Sequence, residues 1–189
     1  MKSSLPKALQ FLAGKPMLEH VKQATLLLNA DQAIVVCSPG AQERIQKTNN
    51  SSGEGVTCVQ QEEALGTGHA LKCALSKINQ DNVVLVLLGD APLVQPSTLQ
   101  KLVASASKNS LALLTANIAN PKGYGRIVRN TDNEIIAILE EDECTEKQRN
   151  IKEVNSGIMA FPPNRIGQWL ERLSANNKKG EYYLTDVIG

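Results

Sequence analysis

The chain carries only two histidines, four cysteines and 3% aromatic residues in 189 positions, and it has almost no charge excess. Its 20 Lys+Arg against 19 Asp+Glu leave a formal net charge of +1. Each shortage removes a class of function. A general nucleic-acid binder needs a basic excess to neutralise phosphates, so this balance argues against one. A small anionic substrate stays open, because a few local cations or a helix N-terminus suffice for it. No stretch approaches the roughly 20 continuous apolar residues of a membrane-spanning helix. The longest apolar runs, Val83–Leu88 and Leu26–Leu28, are core-sized. Met1-Lys2-Ser3-Ser4-Leu5-Pro6-Lys7 lacks the apolar middle of a secretory signal. Cysteines 37, 58, 73 and 144 form no C-x-x-C pair. With Cys37 and Cys58 in apolar strand-like runs, the expectation is free thiols in a reducing cytoplasm, without metal or disulfides. His20 and His69 lie in helical patterns with no nucleophile motif near them, so a Ser-His-Asp or Cys-His hydrolase has no support.

What is present is ordinary globular composition, 42% hydrophobic and 21% charged, too apolar for a disordered chain. Continuous apolar runs alternate with helical periodicity. Ala33–Cys37, Val56–Gln60, Asn82–Leu88 and Leu111–Ala116 read as strands, the first covered on both sides. Pro16–Leu28, Ala41–Lys47, Thr67–Ile78 and Pro96–Ala106 read as helices, with Pro96 at an N-terminal position. Asn49–Gly53 is the most loop-like stretch. The alternation predicts an α/β sheet, largely parallel, with helices on both faces. The C-terminal third differs. Gly125–Arg129 and Glu134–Glu140 flank a turn-rich Asn130–Asn133, a hairpin signal. Val154–Phe161 adds a strand and Ile166–Leu173 a helix.

In open α/β sheets ligands sit at the carboxyl ends of strands. Two such ends are distinctive. The strand Val83–Leu88 runs directly into Gly89-Asp90. Glycine admits a ligand to the backbone, and a carboxylate at a strand tip suits Mg²⁺, which bridges nucleotide phosphates using one or two protein carboxylates. The alternative is a turn in which Asp90 caps the next helix. The second end is Gln61–Ala70, where Gly66-Thr67-Gly68 opens a helix whose first N–H groups can bind a base edge or an anion. The alternative there is a plain N-terminal cap at Thr67. Neither G-x-x-x-x-G-K-[ST] nor G-x-G-x-x-G occurs. Gly123-Tyr124-Gly125-Arg126 could bring backbone to a ligand or be a simple loop, and the acidic Glu140–Glu143 reads as a solvated face.

Taken together and in order, Leu5-Pro6-Lys7, Leu12-Ala13-Gly14-Lys15-Pro16-Met17, Leu65-Gly66-Thr67-Gly68-His69-Ala70, Gly89-Asp90-Ala91-Pro92, Gly123-Tyr124-Gly125-Arg126-Ile127, Glu153-Val154-Asn155-Ser156-Gly157 and Gly180-Glu181-Tyr182-Tyr183-Leu184-Thr185-Asp186 resemble one enzyme family. It is the uridyltransferase domain of the bacterial bifunctional N-acetylglucosamine-1-phosphate uridyltransferase/glucosamine-1-phosphate acetyltransferase. The resemblance covers residues 1–189 as part of one such domain. It implies a Rossmann-like three-layer α/β/α nucleotidyltransferase fold on a mostly parallel mixed sheet. It implies a cytoplasmic enzyme of cell-envelope precursor synthesis that joins UTP and N-acetylglucosamine 1-phosphate into UDP-N-acetylglucosamine and pyrophosphate, with Mg²⁺.

Residue by residue, the resemblance sets Lys7 against the triphosphate as a catalytic cation. It gives Gln61, Gly66 and Thr67 to the uridine base. Gly89 and Asp90 approach the nucleoside, with Asp90 both catalytic and the metal ligand. Gly125, Glu140, Asn155, Tyr183 and Thr185 hold the sugar phosphate. One position departs from the family: Leu88 stands where a tyrosine usually precedes Gly-Asp, which is expected to loosen packing near the nucleoside. The family opens with a strand and an L-A-A-G-x-G-T-R-M loop, and Met1 aligns with the last residue of that motif. The first strand and its glycine-rich loop are therefore expected to be missing, with an open groove where the strand would pair, and the chain as given is expected to turn over little. The family's trimer forms largely through its acetyltransferase half. The alternatives are another sugar-1-phosphate nucleotidyltransferase or a non-catalytic sugar-phosphate-binding remnant.

Overall fold

The computed structural model describes residues 5–49, 56–106 and 110–188. The loop expected at Asn49–Gly53 therefore lies, beyond Asn49, outside the described residues.

After a 3-10 turn at Lys7–Leu9 the chain forms β1 (Phe11–Leu12), β2 (Lys15–Pro16), α1 (Met17–Leu26), β3 (Ala33–Cys37), α2 (Gln42–Asn49) and β4 (Val56–Gln60). There follow α3 (Thr67–Ala74), β5 (Val84–Val86), α4 (Pro96–Ser105), β6 (Ala112–Asn117), β7 (Arg126–Arg129) and β8 (Ile135–Leu139). The chain ends in α5 (Glu146–Arg149), β9 (Glu153–Phe161), α6 (Ile166–Glu171) and a 3-10 turn at Leu184–Val187. The expected strands and helices all occur, with boundaries shifted by a few residues. The tail of the helix expected to reach Ile78 tightens into a 3-10 turn at Leu75–Lys77. Two small elements escape the periodicity. β1 and β2 are joined through Ala13 and Gly14, both at positive φ (48° and 81°), as a two-residue primed turn demands. α5 begins with a reciprocal capping box between Thr145 and Gln148.

The class is α/β, but the sheet is more antiparallel than the alternation predicts. β3 and β4 pair in parallel. β5 and β6 each pair antiparallel with β9, on its two edges, so β5 and β6 run parallel to one another with β9 inserted between them. β7 pairs with β9 at Arg126–Val154 and continues into the β7–β8 hairpin. The physical reason is long-range: β9 is a nine-residue strand arriving late in sequence and satisfying the edges of strands laid down much earlier. Its Ile158–Phe161 segment is almost fully buried, and the two main cores, around Phe161, Ile166 and Leu170 and around Leu99, Ala112 and Ala160, form on its opposite faces.

The expectation that β3 is covered on both sides is corrected. All five of its residues are only half-buried, as are those of β5. Among the described residues, β3–β4 is not hydrogen-bonded to the larger sheet. A groove of about 1410 Å³ lies between them, lined by Ala33–Cys37 on one wall and Val83–Leu88 on the other. The apolar run expected to be strand from Asn82 to Leu88 forms a ladder only over Val84–Val86, where β9 supplies partners.

Candidate active site

The groove collects most of the residues singled out above. Lys7, Thr67, Gly89, Asp90, Glu140, Asn155 and Thr185 all line it. Asp90, at the tip of the apolar β5 run, and Thr67, on the glycine-rich turn, therefore open onto one cavity. Gln61, Gly66, Gly125 and Tyr183 are not among its lining residues.

Leu88 to Ala91 form a tight turn closed by the Ala91 N–H donating to the Leu88 carbonyl at 3.1 Å. Asp90 does not cap the next helix: α4 begins at Pro96 behind Gln95. The Asp90 carboxylate instead forms an ion pair with the Lys7 ammonium. Lys7 is the more exposed partner, 60% against 28% for Asp90, so the pair is open to exchange with an incoming anion or cation. Leu88 packs close to the backbone of Gly157, where an added Cβ would lie 2.7 Å from its Cδ1.

The Gly66 turn is held by the C-terminal segment. The Tyr182 N–H donates to the Leu65 carbonyl and the Gly68 N–H to the Tyr182 carbonyl, both at 2.8 Å. Gly66 sits at φ +99°, and a Cβ there would meet the Tyr182 carbonyl oxygen at 2.6 Å. Only glycine fits that conformation and that approach. Thr67 is not a cap: its Oγ1 accepts from the Leu184 N–H at 3.1 Å, and the helix N-cap is Gly66. The clasp draws Tyr183 and Thr185 next to the turn that opens α3. Thr185 is buried, and its Oγ1 has no hydrogen-bond partner. A buried hydroxyl aimed into a groove without a partner is costly unless a ligand or water engages it.

A Cβ on Gly125 would lie 3.1 Å from Ile138 Cγ2, 3.5 Å from Glu140 Oε1 and 3.6 Å from Asn155 Cβ, so a side chain there needs Ile138 to give by a few tenths of an ångström. The Asn155 N–H donates to the Gly125 carbonyl at 2.8 Å, and Asn155 Oδ1 accepts from the Gly157 N–H at 2.9 Å. That leaves the Asn155 amide NH₂ as a donor toward a ligand. Burial pushes the Glu140 carboxyl above its usual range, with Glu143, Asp186 and Asp142 adding to the rise and Lys179 opposing it. Burial likewise raises Asp186 and the Tyr183 phenol. The reading of Glu140–Glu143 as a solvated face therefore fails at two residues. Glu140 turns inward. Glu141 accepts from the Gly123 N–H and from buried Arg126, which hold its carboxyl below the usual range. Arg126 also donates to the carbonyl of Tyr124, so the Gly123–Arg126 loop is braced from inside.

His20 and His69 have structural partners. His20 Nε2 meets the Leu12 carbonyl at 2.8 Å, holding the β1–β2 turn. His69, which the motif reading gave no role, meets the side chain of Gln61 at 3.0 Å. Its position one residue after the glycine-rich turn was the available signal. None of the four cysteines is in a disulfide, and burial raises the thiols of Cys37, Cys58 and Cys144.

Residues 1–151 match the model of a MobA-like NTP transferase domain. The chain belongs to this nucleotidyltransferase family. It is 46% identical over its whole length to the bifunctional protein GlmU of Albidiferax ferrireducens, covering 41% of that protein. It is 47% identical to the bifunctional protein GlmU of Paracidovorax citrulli, covering 40%, and 43% identical to that of Cellvibrio japonicus, covering 41%. The chain thus spans about two-fifths of the length of these curated relatives. Among solved structures, a UDP-glucose pyrophosphorylase complexed with UDP-glucose superposes with a TM-score of 0.76 at 16% identity, over 97% of this chain and 77% of that one. That likeness carries the nucleotidyltransferase fold. No helix among the described residues is long and apolar enough to cross a membrane.

Proposed function

We propose that this nucleotidyltransferase transfers uridylyl groups, joining UTP to N-acetylglucosamine 1-phosphate with release of pyrophosphate. The observation that carries the reading is one groove whose lining includes a cation–carboxylate pair (Lys7, Asp90), Thr67 beside the Gly66 turn, and the polar side chains of Glu140, Asn155 and Thr185. Similarity along the whole chain to proteins named bifunctional GlmU supports the choice of substrates.

The chemistry asks little of acid–base groups. An oxygen of the sugar phosphate, already ionised at neutral pH, forms a bond to the α-phosphorus of UTP as the bond from that phosphorus to the bridging oxygen breaks. Pyrophosphate leaves with the electron pair, so no general base is needed. The protein must bring two polyanions together and hold them in line. Lys7 supplies positive charge at the triphosphate. Gln61, Gly66 and Thr67 hold the base, with Gly89 admitting the nucleoside to the backbone. Gly125, Asn155, Tyr183 and Thr185 fix the acceptor, and half-buried Glu140 takes a sugar hydroxyl.

Asp90 fits Mg²⁺ as one hard oxygen donor. Among the described residues no group of three or more His, Cys, Asp or Glu gathers into an all-protein cage, which suits an ion that keeps waters and shares its shell with substrate phosphates. When bound, Mg²⁺ would supply charge neutralisation on the phosphates. The same reading places the protein in the cytoplasm and assigns trimer contacts to the acetyltransferase half of longer proteins.

Calorimetry on the chain with Mg²⁺·UTP and, separately, N-acetylglucosamine 1-phosphate, alongside a pyrophosphate-release assay with CTP and dTTP as competitors, tests the proposal. Asp90→Ala is expected to weaken Mg²⁺·UTP and cut any turnover by about 100-fold or more, while leaving the sugar phosphate bound. Retained Mg²⁺·UTP affinity in Asp90→Ala removes the metal assignment. Binding of the sugar phosphate without UTP turns the reading toward a non-catalytic sugar-phosphate binder.

A further inference from the structure

We infer that His69 is a positioning residue for base selection: it locks the Gln61 side-chain amide so that only its carbonyl oxygen is offered to a base. The inference rests on the uridine reading above and adds a residue to it.

Gln61 directly follows β4, and its own N–H donates to the Cys37 carbonyl at 2.9 Å, so its backbone is fixed. Its Nε2 lies 3.1 Å from the Gly66 carbonyl oxygen and 3.0 Å from His69 Nδ1. A carbonyl oxygen only accepts, so the amide atom beside Gly66 is the NH₂ nitrogen. One amide hydrogen goes to Gly66 and the other to His69. An Nδ1 that accepts must be unprotonated, which puts the ring proton on Nε2. Cys73, one helical turn on, lies 3.9 Å from both ring nitrogens, and the Tyr182 ring lies 6.2 Å from the imidazole, so the ring is walled on two sides. Both donors of the Gln61 amide are thereby used, and Oε1 has no partner among the described residues.

That arithmetic selects a base. An acceptor oxygen pairs with an imide N–H such as N3–H of uracil. It repels N3 of cytosine, which is itself an acceptor. A turned-over amide would set its oxygen against the Gly66 carbonyl, so Gly66 already favours this orientation; His69 takes the second amide hydrogen, which a base acceptor could otherwise engage. A site with a committed acceptor discriminates because the wrong base leaves buried polar groups unpaired.

NMR titration of the 189-residue chain with UMP and with CMP reads the preference, in the native chain, in His69→Ala and in His69→Asn. The Asn carbonyl oxygen can take the place of Nδ1 as acceptor. The expected result is a UMP preference that falls about fivefold in His69→Ala, the loss of one neutral hydrogen bond, and is retained in His69→Asn. Unchanged preference in His69→Ala overturns the inference. Nitrogen-15 spectra of the imidazole, without nucleotide, give an independent reading: a neutral ring protonated on Nε2, with an Nδ1 resonance that moves in Gln61→Ala. A ring protonated on Nδ1 overturns the inference whatever the nucleotides do. A chain that binds neither nucleotide while the Nδ1 coupling to Gln61 persists refutes the uridine reading and leaves the positioning of the amide standing.

Discussion

Gly66→Ala is the sharpest test of how the two halves of the groove are joined. The glycine has φ +99° and ψ 174°, a region that side-chain-bearing residues occupy at a cost of about 1–3 kcal/mol. A Cβ there would also stand 2.6 Å from the Tyr182 carbonyl oxygen, 3.0 Å from the Tyr182 nitrogen and 3.1 Å from Glu181 Cβ. Two of these neighbours are backbone, so relief requires the 181–185 segment to move, and overpacking of this kind costs about 1–3 kcal/mol. The substitution is therefore expected to remove about 2–6 kcal/mol, a large share of the stability of an ordinary domain. Gly14→Ala is the control: its φ is +81° but nothing lies within 4 Å of the added carbon, so it carries only the backbone term of about 1–2 kcal/mol. Urea denaturation of both variants, with the slope checked for two-state behaviour, measures the difference. On the proposed function Gly66→Ala should also weaken sugar-phosphate binding, because Tyr183 and Thr185, assigned there to the acceptor, ride on the displaced segment. If it costs no more than Gly14→Ala, the clasp between the Gly66 turn and the 181–185 segment is not what holds this site together.

Two further outcomes are expected. The Glu140 carboxyl is held above its ordinary value of 4.5 by burial and its acidic neighbours. Its contribution to stability is complete below the unfolded value and is lost as pH rises through the folded one. Glu140→Gln should consequently raise the melting temperature more at about pH 7 than at about pH 4; an equal change at both would show that Glu140 is not strained by its surroundings. Hydrogen exchange should find the β9 amides, flanked by strands on both edges, slower by about tenfold or more than those of β3, which has a partner on one edge only among the described residues. Equal protection of the two strands would mean that the groove wall is closed in solution.

Local chemistry made several elements readable in advance. Ala33–Cys37 and Val56–Gln60 are short runs rich in β-branched residues, and both strands fall where the pattern puts them. Pro96 fixes the start of α4, because its ring is compatible with the first helical position and lacks an N–H to satisfy. Asn130–Asn133 makes the hairpin turn, with Asn133 at φ 65° and the Asn130 side chain accepting from the Asp132 and Glu134 N–H groups. The Ala13-Gly14 turn was invisible because alanine is not a residue that asks for positive φ. The capping box at Thr145 follows the Thr-x-x-Gln spacing, directly after the acidic run.

The candidate site divides along the same line. Motif and order placed Asp90 at a strand tip and Gly66 at a helix start, since both depend on neighbours in sequence. That the two open onto one groove depends on β9 entering between β5 and β6 and on Tyr182 clasping the Gly66 turn, contacts between residues roughly 35 to 120 positions apart whose pairing no local propensity encodes. Burial of Glu140 and the pairing of Gln61 with His69 are likewise set by what packs against them. The sequence by itself determined which backbone segments could be strand, helix or turn and which side chains were available for charge and hydrogen bonding. Only the tertiary structure decided which of those side chains share one groove, because desolvation, crowding and unpartnered polar atoms arise when distant segments meet.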